Sequence, residues 1–226
     1  CLLNTGRYGF RTGGTSNQNA AQPKATEEPT LARTLKSAGY ATGMAGKWRQ
    51  VGGSPDDWGF DEFITDPTAG GWYWKSSYTR NGKLVHTDQE VYCPDVCLDF
   101  AKDFFRAHKN EPFYFYFPTH LVHGPILKTP DSKEDGNRYD DNVAYLDKQV
   151  GQLIAELEKL GLRERTLIVF SGDNGTAKQS GSLSGRQVNG HKGTMLEGGA
   201  HVPLIANWKG VTPGGKVLKD LVDFSD

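Results

Sequence analysis

"TLIVFSGDNG", residues 166–175, is an apolar, β-branched run that stops at an acid and an amide set between two glycines. The run has the length and composition of a buried strand, and the "SGDNG" after it has the backbone freedom of a turn. Upstream stands the longest periodic segment of the chain, "DNVAYLDKQVGQLIAELEKLG" (residues 141–161). Its Val143, Leu146, Val150, Leu153, Ile154, Leu157 and Leu160 recur at three and four residues, which predicts an amphipathic helix with its apolar face on a sheet, stopped by Gly161. Before it, "FYFYF" (residues 113–117) predicts another strand. Strand, helix, strand with apolar central runs implies an α/β fold, a mostly parallel sheet with helices on both faces.

The same reading extends in both directions. "EEPTLARTLKSAGY" predicts a helix capped by Thr30 with Leu31, Ala32 and Leu35 on one side, and "ATGMAGKW" predicts a short buried strand after it. Residues 14–28 are polar and read as a surface loop; residues 52–90 read as loops with a hairpin around "RNGK". A helix is expected from about Pro94 to His108, carrying Cys93 and Cys97 on one face as packed residues rather than metal ligands. Strands are expected near "HVPLIANW" and, if not helical, near "KDLVDF".

Composition narrows the function classes. With 226 residues and a formal net charge of −1, the chain holds one substantial domain and offers no basic surface for nucleic acid. No run of about 18 apolar residues suggests a membrane span. Three cysteines define no disulfide framework.

In parallel sheets, ligands sit just past the carboxyl ends of strands. Lys47, the pair His120 and His123, and the pair Asp173 and Asn174 all fall at such ends. Lys47 reads either as an exposed strand-end lysine or as an ammonium aimed at an anion. The two histidines, in the Pro-bounded "PTHLVHGP", read either as packed residues or as proton-transfer groups. Asp173 and Asn174 offer oxygen ligands of the kind Ca²⁺ takes, but calcium needs about six to eight oxygens, so further donors must come from elsewhere. "PDDWGFDEF" (residues 55–63) is a rival acidic cluster that reads better as a surface turn. "NGHKGTMLEGGAHVP" supplies His191 and Lys192 in a glycine-rich setting suited to anions, and residues 176–188 form either a rim or a disordered loop.

In this order, "TGRY", "AGKW", "HGP", "TLIVFSGDNG" and "HKGTMLEGGAHVP" resemble the type I sulfatases of the alkaline phosphatase superfamily, over nearly the whole chain. The family's nucleophile motif is C-x-P-S-R-x-x-L-x-T-G-R, whose Cys becomes formylglycine. "LNTGR" matches its tail, so Cys1 is not expected to be the nucleophile, and the modified Cys is expected upstream of residue 1. The two N-terminal metal-binding aspartates and a C-terminal subdomain are likewise expected outside these residues, making residues 1–226 a partial catalytic domain, truncated at both ends and inactive by itself. Where the family often has G-K-W-H, this chain has Arg49, and the family's basic residue before "VP" is His201.

The resemblance implies a sulfuric ester hydrolase acting on a small-molecule or carbohydrate sulfate ester. Calcium would be held in part by Asp173 and Asn174. Lys47, His123 and Lys192 would be catalytic, and Arg49, His120 and His191 would bind substrate. A periplasmic, secreted or lysosome-like compartment is expected on the same ground. The alternatives are a phosphodiesterase or phosphonate hydrolase of the same superfamily, and a non-catalytic domain of this fold.

Overall fold

A close crossing of two backbone segments sets the end of the first strand. In the computed structural model, which describes residues 1–16, 19, 23–48, 51–66, 73–177 and 179–225, strand β1 runs Ala41–Gly46 and is buried along nearly its whole length. Gly46 has φ 127°, and a Cβ there would lie 2.2 Å from the Pro118 carbonyl oxygen, so only glycine lets the two segments approach. The chain divides into two compact units, Cys1–Leu160 with Lys219–Asp226, and Gly161–Leu218.

In the first unit, short helices α1 (Leu2–Thr5) and α2 (Gly9–Thr12) precede α3 (Leu31–Ser37). Thr30 caps α3 as expected, its hydroxyl accepting from the Arg33 amide at 3.1 Å. After β1 come β2 (Glu62–Thr65), β3 (Trp74–Arg80), β4 (Lys83–Tyr92), α4 (Cys93–Ala107), β5 (Phe113–Tyr116) and α5 (Arg138–Lys159). The sheet order is β4-β3-β2-β1-β5. β1 is parallel to both β2 and β5, whereas β2–β3 and β3–β4 are antiparallel. The α/β fold is as expected, with a mixed sheet whose parallel part is centred on β1.

Alternation along β1 serves two cores. Met44 packs with Ala32 of α3, Trp58, Phe60 and Phe63 on one face, and Ala45 packs with Ile64, Cys97 and Phe100 on the other, where α4 lies. Helices therefore cover both faces. Cys93 and Cys97 are buried free thiols, as the sequence predicts; burial pushes Cys93 up to about 11.

Several expectations change. The segment read as loops over 52–90 contains β2 besides the hairpin; the hairpin turn at Asn81 and Gly82 has positive φ at both residues, the twist that joins antiparallel strands. Residues 55–58 form a 3₁₀ turn with Trp58 fully buried, so this segment is anchored in the core rather than laid over the surface. In α5 the buried line is Asn142, Tyr145, Gln149, Glu156 and Leu157, while Val143 is exposed. That line meets α4 rather than a sheet: the Tyr145 hydroxyl and the Gln149 amide donate to Asp95, and Arg106 pairs with Glu156 at 2.7 Å. "KDLVDF" forms no strand, and Leu221 stands fully exposed.

In the second unit, β6 (Leu167–Ser171) pairs antiparallel with β9 (Leu204–Trp208). Between them, β7 (Ser180–Leu183) and β8 (Arg186–Asn189) form a hairpin in the segment expected to be a rim or a disordered loop, and α6 (Glu197–Ala200) comes after it.

Candidate functional site

Parallel pairing of β2, β1 and β5 gathers three strand exits on one edge of the first unit. Lys47 leaves β1, Asp66 leaves β2, and His120 and His123 come after β5. The Lys47 amide donates to the Pro118 carbonyl at 2.8 Å, the close approach that Gly46 permits, so the half-buried lysine starts from a fixed backbone. His120 is buried and its Nε2 lies 3.0 Å from Asp66 Oδ1; the two side chains are 1% and 2% exposed. Such a pair pins the loop to the exit of β2.

His123 is half-buried, and its Nδ1 lies 2.7 Å from the Gly124 carbonyl oxygen. A carbonyl only accepts, so Nδ1 carries a proton, and in the neutral ring Nε2 is the basic nitrogen. The tautomer that a proton-transfer histidine needs is thus set by its own neighbour. Tyr73 holds the same loop: its buried hydroxyl accepts from the His123 amide at 2.9 Å and reaches the His123 carbonyl at 2.7 Å. Burial raises the Tyr73 pKa, against the hydrogen bond to His123, so it remains a neutral hydroxyl.

In the second unit, glycines allow backbone to pack on backbone. A Cβ on Gly175 would lie 1.9 Å from the Gly198 carbonyl oxygen, and one on Gly198 would lie 1.7 Å from that of Asn189. The Gly175 amide donates to Gly199 at 2.9 Å, the His191 amide to Gly198 at 3.2 Å, and the Lys192 amide to Thr176 at 3.1 Å. These bonds tie "HK" directly to the residues after Asp173 and Asn174. Asp173, His191 and Lys192 are exposed and Asn174 is half-buried, with its Nδ2 donating to Asp173 Oδ1. Glu197 pairs with Arg186 and, at 3.3 Å, with His201 Nδ1.

Asp173 and Asn174 present one carboxylate and one amide oxygen, donor chemistry that suits a hard divalent cation such as Ca²⁺. Two oxygens do not complete the shell of such an ion, and among the described residues no group of three or more His, Cys, Asp or Glu is placed to hold a metal. Arg49 lies outside the described residues. The structure therefore joins Lys47 with His120 and His123 in one unit, and Asp173 and Asn174 with His191 and Lys192 in the other.

Asp66 and Tyr73 were not singled out from the sequence. Both fall in the segment read as loops; "EFIT" before Asp66, an apolar β-branched run ending at an acid, is the signal that marks its strand end. Nothing in the sequence marks the hydroxyl of Tyr73 as a loop anchor, because its partners lie about fifty residues away.

Known proteins resemble this chain along most of its length. The model of the family described as Sulfatase matches residues 2–226. N-acetylgalactosamine-6-sulfatase of the dog (Canis lupus familiaris) is 28% identical over 97% of this chain and 48% of its own length. Human arylsulfatase A (Homo sapiens) is 31% identical over 83% of this chain and 44% of its own. The crystal structure of the PsFucS1 sulfatase from Pseudoalteromonas sp., 24% identical, shares the fold with a TM-score of 0.80, covering 99% of this chain and 54% of that one. The chain spans about half the length of the curated relatives it matches. Among the described residues no helix is long and apolar enough to cross a membrane.

Proposed function

Starting from a chain that belongs to the sulfatase family, we propose that the whole protein is a sulfuric ester hydrolase and that these residues supply part of its sulfate-binding and proton-transfer machinery. One observation carries the reading: the Lys192 amide bonds to Thr176 on the glycine-packed scaffold that also presents Asp173 and Asn174. A cation and two hard oxygen donors fixed on one support are what an anionic ester and a metal require together.

A sulfate monoester carries its negative charge on three non-bridging oxygens, and charge builds toward the leaving oxygen as the S–O bond breaks. Lys47 and Lys192, whose backbone amides are tied to Pro118 and Thr176 within their own units, are each assigned as point charges for sulfate oxygens. His123, with Nδ1 on Gly124, would handle a proton at Nε2, accepting it when neutral and giving it to the departing alkoxide when protonated. His191, exposed beside Lys192, would contact the substrate. His120, expected to bind substrate, is buried against Asp66 and would instead act through the loop it anchors, and Arg49 is assigned to substrate binding by its place in "GKWR".

Asp173 and Asn174 would hold a calcium ion, whose chemistry is to withdraw charge from the sulfate oxygens and favour an ionised hydroxyl beside it. The attacking hydroxyl is assigned to a formylglycine upstream of residue 1. Carbohydrate sulfates are the favoured substrate class, in keeping with the relatives named N-acetylgalactosamine-6-sulfatase, and a periplasmic, secreted or lysosome-like compartment fits such substrates. In the full-length protein, Lys192→Ala should lower kcat/KM toward a sulfate ester by about 100-fold to 1000-fold. Wild-type rates in that variant would overturn the assignment.

A further inference from the structure

The loop that carries His123 is also held from within by the Tyr73 hydroxyl. Tyr73 lies just before β3 and is 2% exposed. Its oxygen accepts from the His123 amide at 2.9 Å, and its own proton faces the carbonyls of His123 at 2.7 Å and His120 at 3.2 Å. A hydroxyl has one proton, so the nearer His123 carbonyl takes it and the His120 carbonyl forms the longer branch. One side chain therefore satisfies both backbone polar groups of His123. The base that delivers this hydroxyl is rigid: the Tyr73 ring stacks on Tyr92 with centroids 6.0 Å apart, beside Leu121 and Tyr145, and the Cys93 amide donates to the Tyr73 carbonyl at 2.7 Å.

The His123 ring depends on this arrangement. Its Nδ1 partner is the carbonyl of the next residue, so the bond exists only at particular values of the backbone torsions between His123 and Gly124. Gly124 has no Cβ, and a Cβ placed there would meet nothing within 4 Å, so no side chain at this position helps to fix those torsions. Tyr73 restrains the His123 side of that link, because its hydroxyl clamps the peptide groups on both sides of the His123 Cα.

We infer that Tyr73 is a positioning residue for His123: its hydroxyl sets the His123 backbone, which seats Nδ1–H on the Gly124 carbonyl and keeps the basic nitrogen at Nε2. The inference deepens the sulfatase reading and rests on it for the consequence in catalysis, while the tautomer is a property of this chain alone.

The test compares Tyr73→Phe with Tyr92→Phe. Tyr73→Phe keeps the ring and its stacking and removes only the hydroxyl. Tyr92 is the matched control, because its buried hydroxyl has no hydrogen-bond partner among the described residues. Long-range ¹H–¹⁵N spectra of the histidine-labelled chain report which ring nitrogen of His123 carries the proton, and steady-state turnover of an aryl sulfate by the full-length protein reports the consequence. Wild type and Tyr92→Phe should show a protonated Nδ1. Tyr73→Phe should lose that signal to the other tautomer or to an average of both, and kcat should fall by about 100-fold with KM unchanged, the scale of a misplaced catalytic group. A Tyr73→Phe protein that keeps the protonated Nδ1 overturns the inference, as does an equal loss in Tyr92→Phe. A tautomer change in Tyr73→Phe alone, in a protein whose wild type turns over no sulfate ester, upholds the positioning role and removes the sulfatase reading.

Discussion

Replacing Gly46 by alanine should be among the most damaging single changes in the first unit, although it adds one methyl group. The residue has φ 127°, a region that L side chains rarely adopt, and holding a non-glycine residue there costs about 1–3 kcal/mol. The new Cβ would sit 2.2 Å from the Pro118 oxygen and 2.9 Å from its carbonyl carbon, both backbone atoms that cannot rotate away. Relief requires the end of β1 to move off the segment after β5, which breaks the 2.8 Å bond from the Lys47 amide to Pro118, worth about 1 kcal/mol. Together these give a loss of about 2–4 kcal/mol and a fall in Tm of about 10 °C for a chain of this size. Urea unfolding followed by tryptophan fluorescence, with Trp48 and Trp58 as reporters in the adjoining core, measures the loss directly. A destabilisation below about 1 kcal/mol, within the range of ordinary surface changes, would show that glycine is not what allows this approach.

Two other perturbations concern buried or paired groups. Asp66→Ala leaves His120 buried without its carboxylate partner and should cost about 3 kcal/mol in urea unfolding, whereas Asp66→Asn, which keeps an acceptor oxygen, should cost clearly less; equal losses would mean that only packing matters there. His108, at the end of α4, places Nε2 2.9 Å from Glu62 and Nδ1 2.6 Å from Glu111, with its ring against Phe104. Burial opposes its charge, but the two carboxylates outweigh burial and hold its pKa above the ordinary 6.5. A raised folded value means the contribution is complete below pH 6.5 and is lost as pH climbs through the folded value. Tm measured from pH 5.5 to pH 8.5 should therefore fall less steeply at the alkaline end in His108→Gln than in wild type, and parallel curves would refute the clasp.

What the sequence showed most clearly was local. The Thr30 cap, the "NG" turn and the strands β1, β5 and β6 depend on residues within a few positions of one another, and the structure has each of them, although β6 is not the buried strand its apolar run implies, since Leu167 and Val169 are exposed and it pairs antiparallel with β9. The strand-end positions of Lys47, His120, Asp173 and Asn174 were legible for the same reason. Pairing was not. The antiparallel addition of β3 and β4 to the sheet is decided by contacts across the sheet, and β2 is too short to stand out in a Trp- and Gly-rich stretch. The periodicity of α5 located the helix but not the face it buries, because Tyr145, Gln149 and Glu156 are drawn to α4 by hydrogen-bonding partners that a hydrophobic pattern omits. "KDLVDF" failed as a strand because an apolar run becomes one only beside a partner, and Leu221 has no cover. Tyr73 and Asp66 belong to this second kind, since their roles exist only once distant segments meet.

The oxygen pair past β6, and the Lys192 cation on the same support, are proposed to serve a sulfate ester. That role is tested most directly by assaying the full-length protein, in calcium and after chelation, against a sulfated N-acetylgalactosamine and a phosphate diester of the same leaving group. Calcium-dependent release of sulfate, faster than cleavage of the diester, is expected, with loss of that release in Asp173→Ala. Preferred cleavage of the diester, or sulfate release that survives both chelation and Asp173→Ala, would contradict that role.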